Sequence, residues 1–244
     1  AGILASGMNR QSVISFLVDV GTNAEVVVGN RDWLMACAGA AGPALEGGVA
    51  DMGMMAGPGV IDRVVIHPVT RTFNIGVIHD ETADVPQAKG PVGICGSGLI
   101  DLAAQLFAAG MIDLRGKFVE TACGDRLVGQ DGIRHLIVVP AEDSGTGRAL
   151  PLSQPDMDGL IRSKAAMYTI LTTIANTVNI SFAEVGRFYV AGTFGSYIAP
   201  RSAITIGMIP DLPIETYVSL GNTSLEGAGM ALVRAEARES LFQI

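Results

Sequence analysis

Ser12-Val-Ile-Ser-Phe-Leu-Val-Asp-Val-Gly-Thr-Asn-Ala-Glu-Val-Val-Val28 is the stretch on which the fold turns. Residues 12–19 are rich in β-branched and aromatic side chains, Val20-Gly-Thr-Asn23 is a turn, and residues 25–28 read as a returning strand. Gly29-Asn-Arg-Asp32 makes a second turn and residues 33–38 supply a third apolar strand, so 12–38 is expected to be a three-stranded antiparallel meander. The C-terminal third repeats a strand, Gly turn and helix: residues 187–191 run into Gly192-Thr-Phe-Gly195, and 217–220 into Gly221-Asn-Thr-Ser224 and a helix to about 241. Such units add parallel strands, with their Gly turns on one edge, and the result is a mixed α/β sheet.

Between these ends, residues 43–56 are expected to be helical, and 60–67 and 73–78 to be strands. Gly93-Ile-Cys-Gly-Ser-Gly98 opens a helix from Leu99 to about Ala109, with Ser97 as its cap and Gly110 as its stop. Residues 111–154 are turn-rich, hold one strand at 133–139 and read as an insertion. A long helix over 155–179, capped by Ser153, places Ile161, Ala165, Tyr168, Leu171, Ala175 and Val178 on one face.

Composition narrows the function. Sixteen Lys and Arg stand against 24 Asp and Glu, a net charge of −8 that repels a phosphate backbone and excludes nucleic acid as a partner. The uncharged run 165–183 carries four Thr, two Asn and a Ser, which fits a buried helix and not a bilayer span. Cys37, Cys95 and Cys123 are scattered and form no CxxC, as expected of a reduced cytoplasmic chain, and are too few for a four-thiolate cluster. His67, His79 and His135 have no ligand spacing, and Met52, Met54 and Met55 read as packing residues. The start lacks Met and lies close to the first strand, an expectation of a piece of a longer protein.

Three turns carry candidate chemistry. Gly21, Thr22 and Asn23 can bring backbone N–H groups to a phosphate, and Asp19 at the strand end can hold a metal-bound water; an ordinary hairpin turn is the plain alternative. Gly96, Ser97 and Gly98 sit where a helix N-terminus attracts an anion, or where a helix simply starts. Gly192, Thr193, Phe194 and Gly195 offer a flat surface for adenine or ribose, or only a tight turn. No Walker loop, third dinucleotide Gly or nucleophile elbow is present.

Taken in order, these pieces resemble the nucleotide-binding half of the actin, heat-shock chaperone and sugar-kinase superfamily, with a ribonuclease-H-like sheet and flanking helices. Asp19-Val-Gly-Thr-Asn-Ala-Glu25, Ala36-Cys-Ala-Gly-Ala-Ala-Gly-Pro-Ala-Leu-Glu-Gly47, Gly93-Ile-Cys-Gly-Ser-Gly-Leu-Ile-Asp101, Leu152-Ser-Gln-Pro-Asp156 and Ala191-Gly-Thr-Phe-Gly195 are similar to the C-terminal domain of the reductive activators of corrinoid proteins. The resemblance implies that residues 1–244 are one nucleotide-binding lobe of a larger protein, cofactors ATP and Mg²⁺, a [2Fe–2S] cluster only in a missing N-terminal region, and ATP-driven return of Co(II) corrinoid to Co(I). It implies that Asp19–Asn23 is a phosphate loop with Asp19 on Mg²⁺ through water, that 192–195 is the adenosine turn with Gly221 and Asn222 beside it, and that 96–98 is a further wall. Glu25 or Glu46 would orient a water. The implied partner is a corrinoid protein, and a homodimer is a further expectation. Ala24 replaces the family's usual Gly, and Met55 its usual Arg. The competing readings are a small-molecule or sugar kinase of the same superfamily and a scaffold half that only dimerises or docks.

Overall fold

The computed structural model describes residues 1–21, 23–40, 50–79, 90–192 and 195–242. Its strands are β1 (Ser15–Val20), β2 (Asn23–Gly29), β3 (Leu34–Ala40), β4 (Val60–Ile66), β5 (Phe73–Val77), β6 (Gly93–Ile94), β7 (Leu127–Gln130), β8 (Ile133–Val139), β9 (Leu150–Ser153), β10 (Arg187–Ala191) and β11 (Tyr217–Gly221). The helices are α1 (Gly2–Ser6), α2 (Gly96–Ala108), α3 (Glu120–Cys123), α4 (Gln154–Thr177), α5 (Pro200–Thr205), α6 (Thr223–Val233) and α7 (Ala235–Leu241). They divide into two compact units: one of residues 1–41, 166–200 and 207–244, the other of 42–165 and 201–206.

The first unit is built on a five-stranded sheet in the order β11-β10-β1-β2-β3. β1, β2 and β3 form the expected antiparallel meander, while β1, β10 and β11 are parallel. Alternation along β1 serves both faces, because Phe16 and Val18 point to one side and Leu17 to the other, and all three are buried. On the first face Phe16 stacks on Phe188 at 5.7 Å between ring centroids and lies 5.8 Å from Phe182, which in turn meets Tyr168 of α4. On the second, Leu17, Val27, Tyr189 and Ala191 pack with Met8, and Ile3 of α1 leans on the group.

The second unit holds two three-stranded sheets, β5-β4-β6 and β7-β8-β9. Helix α2 packs so closely on β4 that a Cβ at Gly98 would collide with the Ile61 carbonyl. Two α2 side chains extend the β4 ladder: Asp101 Oδ2 accepts from the Val64 N–H at 2.7 Å and Gln105 Oε1 from that of Ile66 at 3.1 Å. Leu99, Ile100, Leu102, Leu106 and Leu136 are fully buried around this arrangement.

Several expectations are corrected. No helix occupies the described part of 43–56; residues 43–49 lie outside the described residues, and 50–56 is turn and extended chain whose Met52 and Met54 backbone bonds to Ile94. Met52 is buried as expected, but Met54 is 38% and Met55 86% exposed. Helix α2 starts at Gly96 with Cys95 as its cap residue, so Ser97 is not the cap but a buried first-turn residue, its Oγ 3.2 Å from Cys95 Sγ. The region 111–154 carries three strands rather than one, since short β7 and β9 flank β8 across turns that hid their pattern.

Ser153 does cap α4, accepting from the Asp156 N–H while Asp156 accepts from its own. The buried stripe of α4 is Met157, Leu160, Met167, Leu171, Ile174 and Ala175; Ala165 and Tyr168 of the expected stripe are exposed, because apolar residues ring much of this helix and periodicity alone did not choose among them. The last helix breaks at Arg234, which is extended, and becomes α6 and α7. Ala24 needs no left-handed backbone, since it is a fully buried strand residue paired with Val20.

The aromatic stack at Phe16 ties three segments of the first unit together. Phe16→Ala is expected to lower stability by about 3–5 kcal/mol, read as a shifted midpoint in urea denaturation; a loss within about 0.5 kcal/mol, the range of surface substitutions, would remove the stack from the core.

Candidate functional site

Three parallel strands end side by side in the first unit, and ligands of open α/β sheets bind beyond such carboxyl ends, where the chain connections diverge. β1 leaves toward β2 on one side while β10 and β11 follow on the other, so the divergence falls beside Asp19 and Val20. Gly192, directly after β10, has φ 92°, and a Cβ there would lie 2.5 Å from the Val20 carbonyl oxygen and 2.8 Å from Asp19 Oδ1. Only Gly permits that approach. The Gly192 N–H donates to the Gly221 carbonyl at 2.9 Å, locking the ends of β10 and β11 together.

Gly221, with φ 72°, has no neighbour within 4 Å of where its Cβ would stand, and at Gly21 the nearest is the Asn23 carbonyl oxygen at 3.9 Å. Gly221 has open space beside its backbone, whereas the Gly21 N–H, expected to reach a phosphate, donates instead to the Asn23 carbonyl at 2.9 Å. Asn222 caps α6 by accepting from the Leu225 N–H at 3.0 Å. The next residue was missed by the sequence reading: Thr223 is fully buried and its Oγ1 donates to Asp19 Oδ2 at 3.4 Å. Its place at the first position of a capped helix, after a Gly turn, was the available signal.

Glu25 is exposed and lies directly opposite Asp19 in the β1–β2 register. Two carboxylates so placed repel each other, a cost that a bound cation would relieve. Among the described residues no group of three or more His, Cys, Asp or Glu could hold a metal by itself. Mg²⁺ is usually held by one or two carboxylates with waters and phosphate oxygens, and Asp19 and Glu25 are two carboxylates paired across the ladder. An open glycine rim beside a carboxylate thus fits a magnesium nucleotide.

Of the remaining expected site residues, Thr22, Glu46, Thr193 and Phe194 lie outside the described residues. Gly195 is buried against Val190 and Val20 in the first unit. Gly96, Ser97 and Gly98 form the first turn of α2 in the second unit, where the cap residue makes no side-chain cap bond. The thiols of Cys37 and Cys123 are held above their ordinary range by burial. His67 Nδ1 only accepts turn N–H groups from Val69 and Thr70.

A family profile described as the C-terminal domain of RACo, the ASKHA domain, matches residues 13–244. The chain belongs to this family. As an ASKHA domain it has the actin-like ATPase fold, and that family implies nucleotide binding. The chain is also similar to longer proteins. The corrinoid activation enzyme RamQ of Eubacterium limosum is 31% identical over 240 residues, 94% of this chain and 38% of RamQ. The Co(II) methylated amine-specific corrinoid protein reductase of Methanosarcina barkeri is 25% identical over 244 residues, 94% of this chain and 41% of that protein. A solved reductive activator for corrinoid, iron–sulfur protein superposes with a TM-score of 0.88 at 37% identity, covering 99% of this chain and 37% of the other. The chain therefore spans about two-fifths of the length of these relatives. No described helix is long and apolar enough to cross a membrane.

The two site glycines are expected to respond differently to substitution. Gly221→Ala carries only the cost of its positive φ, of order 1 kcal/mol, whereas Gly192→Ala adds a clash with the Val20 carbonyl and loses at least about 2 kcal/mol more. Equal losses in urea denaturation would contradict the close approach of the two turns.

Proposed function

We propose that this chain is the nucleotide-binding lobe of a longer reductive activator, which uses ATP to return a Co(II) corrinoid protein to Co(I). The observation that carries the reading is the convergence of Asp19, Gly192 and Gly221–Thr223 at the ends of three parallel strands, in a family whose relatives bear corrinoid-activation names. Gly21, Thr22 and Asn23 would receive the phosphates, and Gly192, Thr193, Phe194, Gly195, Gly221 and Asn222 the adenosine. Asp19 would hold Mg²⁺ through water, with Thr223 orienting its carboxylate and Glu25 or Glu46 aligning a water. Bound ATP supplies phosphoryl-transfer free energy.

Gly96, Ser97 and Gly98, at the start of α2, are further candidates for contact with the nucleotide. Residues 111–154 are read as an insertion in this lobe, with β7, β8 and β9 as its framework. The [2Fe–2S] cluster is assigned to the part of the longer relatives that this chain does not span. The corrinoid protein is the macromolecular partner, and the cytoplasm the place of work.

Phosphoryl transfer depends on charges placed all round the γ-phosphate. This chain alone is therefore expected to bind Mg-ATP weakly and hydrolyse it negligibly. In calorimetric titrations Asp19→Ala should weaken binding by at least about tenfold with Mg²⁺ present and change little without it. Equal affinity in both proteins would remove Asp19 from the site. In the longer protein, Asp19→Ala should also abolish the ATP-dependent rise of the Co(I) absorbance.

A further inference from the structure

The loop after α4 closes that helix and turns back along it. Asn179 adopts a left-handed conformation, φ 56°, its N–H bonded to the Asn176 carbonyl at 3.1 Å, while the Ile180 N–H reaches the Ala175 carbonyl at 3.0 Å. The returning chain carries a capping box: the Ser181 hydroxyl accepts from the Ala183 N–H, and Glu184 Oε2 accepts from the Ser181 N–H at 2.8 Å. The box fixes where the Glu184 carboxylate stands.

Between this loop and α4 lies an open cavity of about 580 Å³, lined wholly by residues of the first unit and within the size range of small-ligand sites. Two aromatic rings line it, Tyr168 and Phe182, with centroids 6.2 Å apart and planes inclined by 51°. Its charge is of one sign, because Glu184 belongs to the lining and no Lys, Arg or His does. Thr172 donates its hydroxyl proton to the Tyr168 carbonyl at 2.6 Å, which leaves its oxygen as an acceptor. The last turn of α4 holds no basic residue to offset the negative end of the helix dipole. Among the described residues no Lys or Arg pairs with Glu184, and the Arg187 guanidinium donates to the Gly186 carbonyl at 3.4 Å.

We propose that this cavity binds a guanidinium group, as carried by arginine. The planar cation lies against the Tyr168 and Phe182 rings, and its N–H donors meet the Glu184 carboxylate, the Thr172 oxygen and the amide oxygens of Asn176 and Asn179. Arginine suits the site better than lysine, because its flat fork stacks on rings and serves several acceptors at once, whereas an ammonium is a compact, strongly hydrated charge. An anion would meet Glu184 unpaired, and an apolar ligand would strip water from two Asn amides without replacing it. The net charge of −8 draws cations to the surface. β10, of five residues, leads away from the cavity to Gly192, so the site lies at the other end of the sheet from the turns assigned to the nucleotide and does not depend on that reading.

Two probes carry the group from different sources. Free L-arginine presents it on a small molecule, and a blocked pentapeptide with one arginine between glycine pairs presents it as a protein segment would. Calorimetric titration of the 244-residue chain should show one saturable site for the guanidinium, and the tighter probe identifies the source. Citrulline, the neutral isostere, in place of arginine in either probe should bind at least about tenfold more weakly.

Glu184→Gln keeps the capping box, since a Gln oxygen also accepts the Ser181 N–H, but removes the charge and should weaken binding at least about tenfold. Tyr168→Leu keeps an apolar wall without the ring and should weaken it about two- to fivefold. Each variant should retain the circular dichroism spectrum of the parent. Asp19→Ala, at the far end of β1, should leave arginine binding unchanged. No saturable binding of either probe, equal affinity for arginine and citrulline, or undiminished affinity in either cavity variant would overturn the proposal. Loss of arginine binding in Asp19→Ala would overturn it too, by moving the site to the other end of the sheet.

Discussion

The first unit depends on β1 being hydrogen-bonded along both of its edges, antiparallel to β2 on one side and parallel to β10 on the other. A strand so committed must be apolar on both faces, and Phe16, Leu17 and Val18 are buried accordingly. Polarity is confined to the two ends of the strand, Ser15 at its start and Asp19 one residue before it leaves the sheet at Val20. Everything assigned to the nucleotide follows from that single exit, because the turns after β10 and β11 are drawn to the same place by register.

The site is consequently made more of backbone than of side chains. Gly192 and Gly221 adopt left-handed conformations, and among the described residues the side chains contribute the link from buried Thr223 to Asp19 and the Asn222 cap of α6. The Gly21 and Gly192 N–H groups are already bonded, to the Asn23 and Gly221 carbonyls, so these turns hold their shape before any ligand arrives. A carboxylate paired across the ladder with a second carboxylate has the opposite character, since it is incomplete until a cation joins it.

Much of this was legible in the sequence because the decisive signals are local. Alternating β-branched residues with Gly-bearing turns marked β1, β2 and β3, and strand–Gly–helix units marked β10 and β11. What escaped depended on partners distant in sequence. The start of α2 is drawn to Gly96 by its contact with β4, which lies some thirty residues earlier. The buried face of α4 was chosen by its neighbours among nearly equivalent apolar stripes, and β7 and β9 exist through pairing with β8 more than through their own composition. For Thr223 only the place at a helix start was legible; its bond to Asp19 was not, since that partner lies 204 positions away.

Asp101 shows what such distance means while the chain is being made. One carboxylate accepts from the Val64 N–H, 37 residues back, and from the Ser202 hydroxyl, 101 residues ahead. At ribosomal speeds Ser202 emerges about 5–20 s after Asp101. During that interval α2 can dock on β4, but its acid still lacks a ligand that most of the unit's own residues precede. The second unit therefore cannot finish as an independent module during translation; its last hydrogen bond waits until most of the first unit's chain has also left the ribosome.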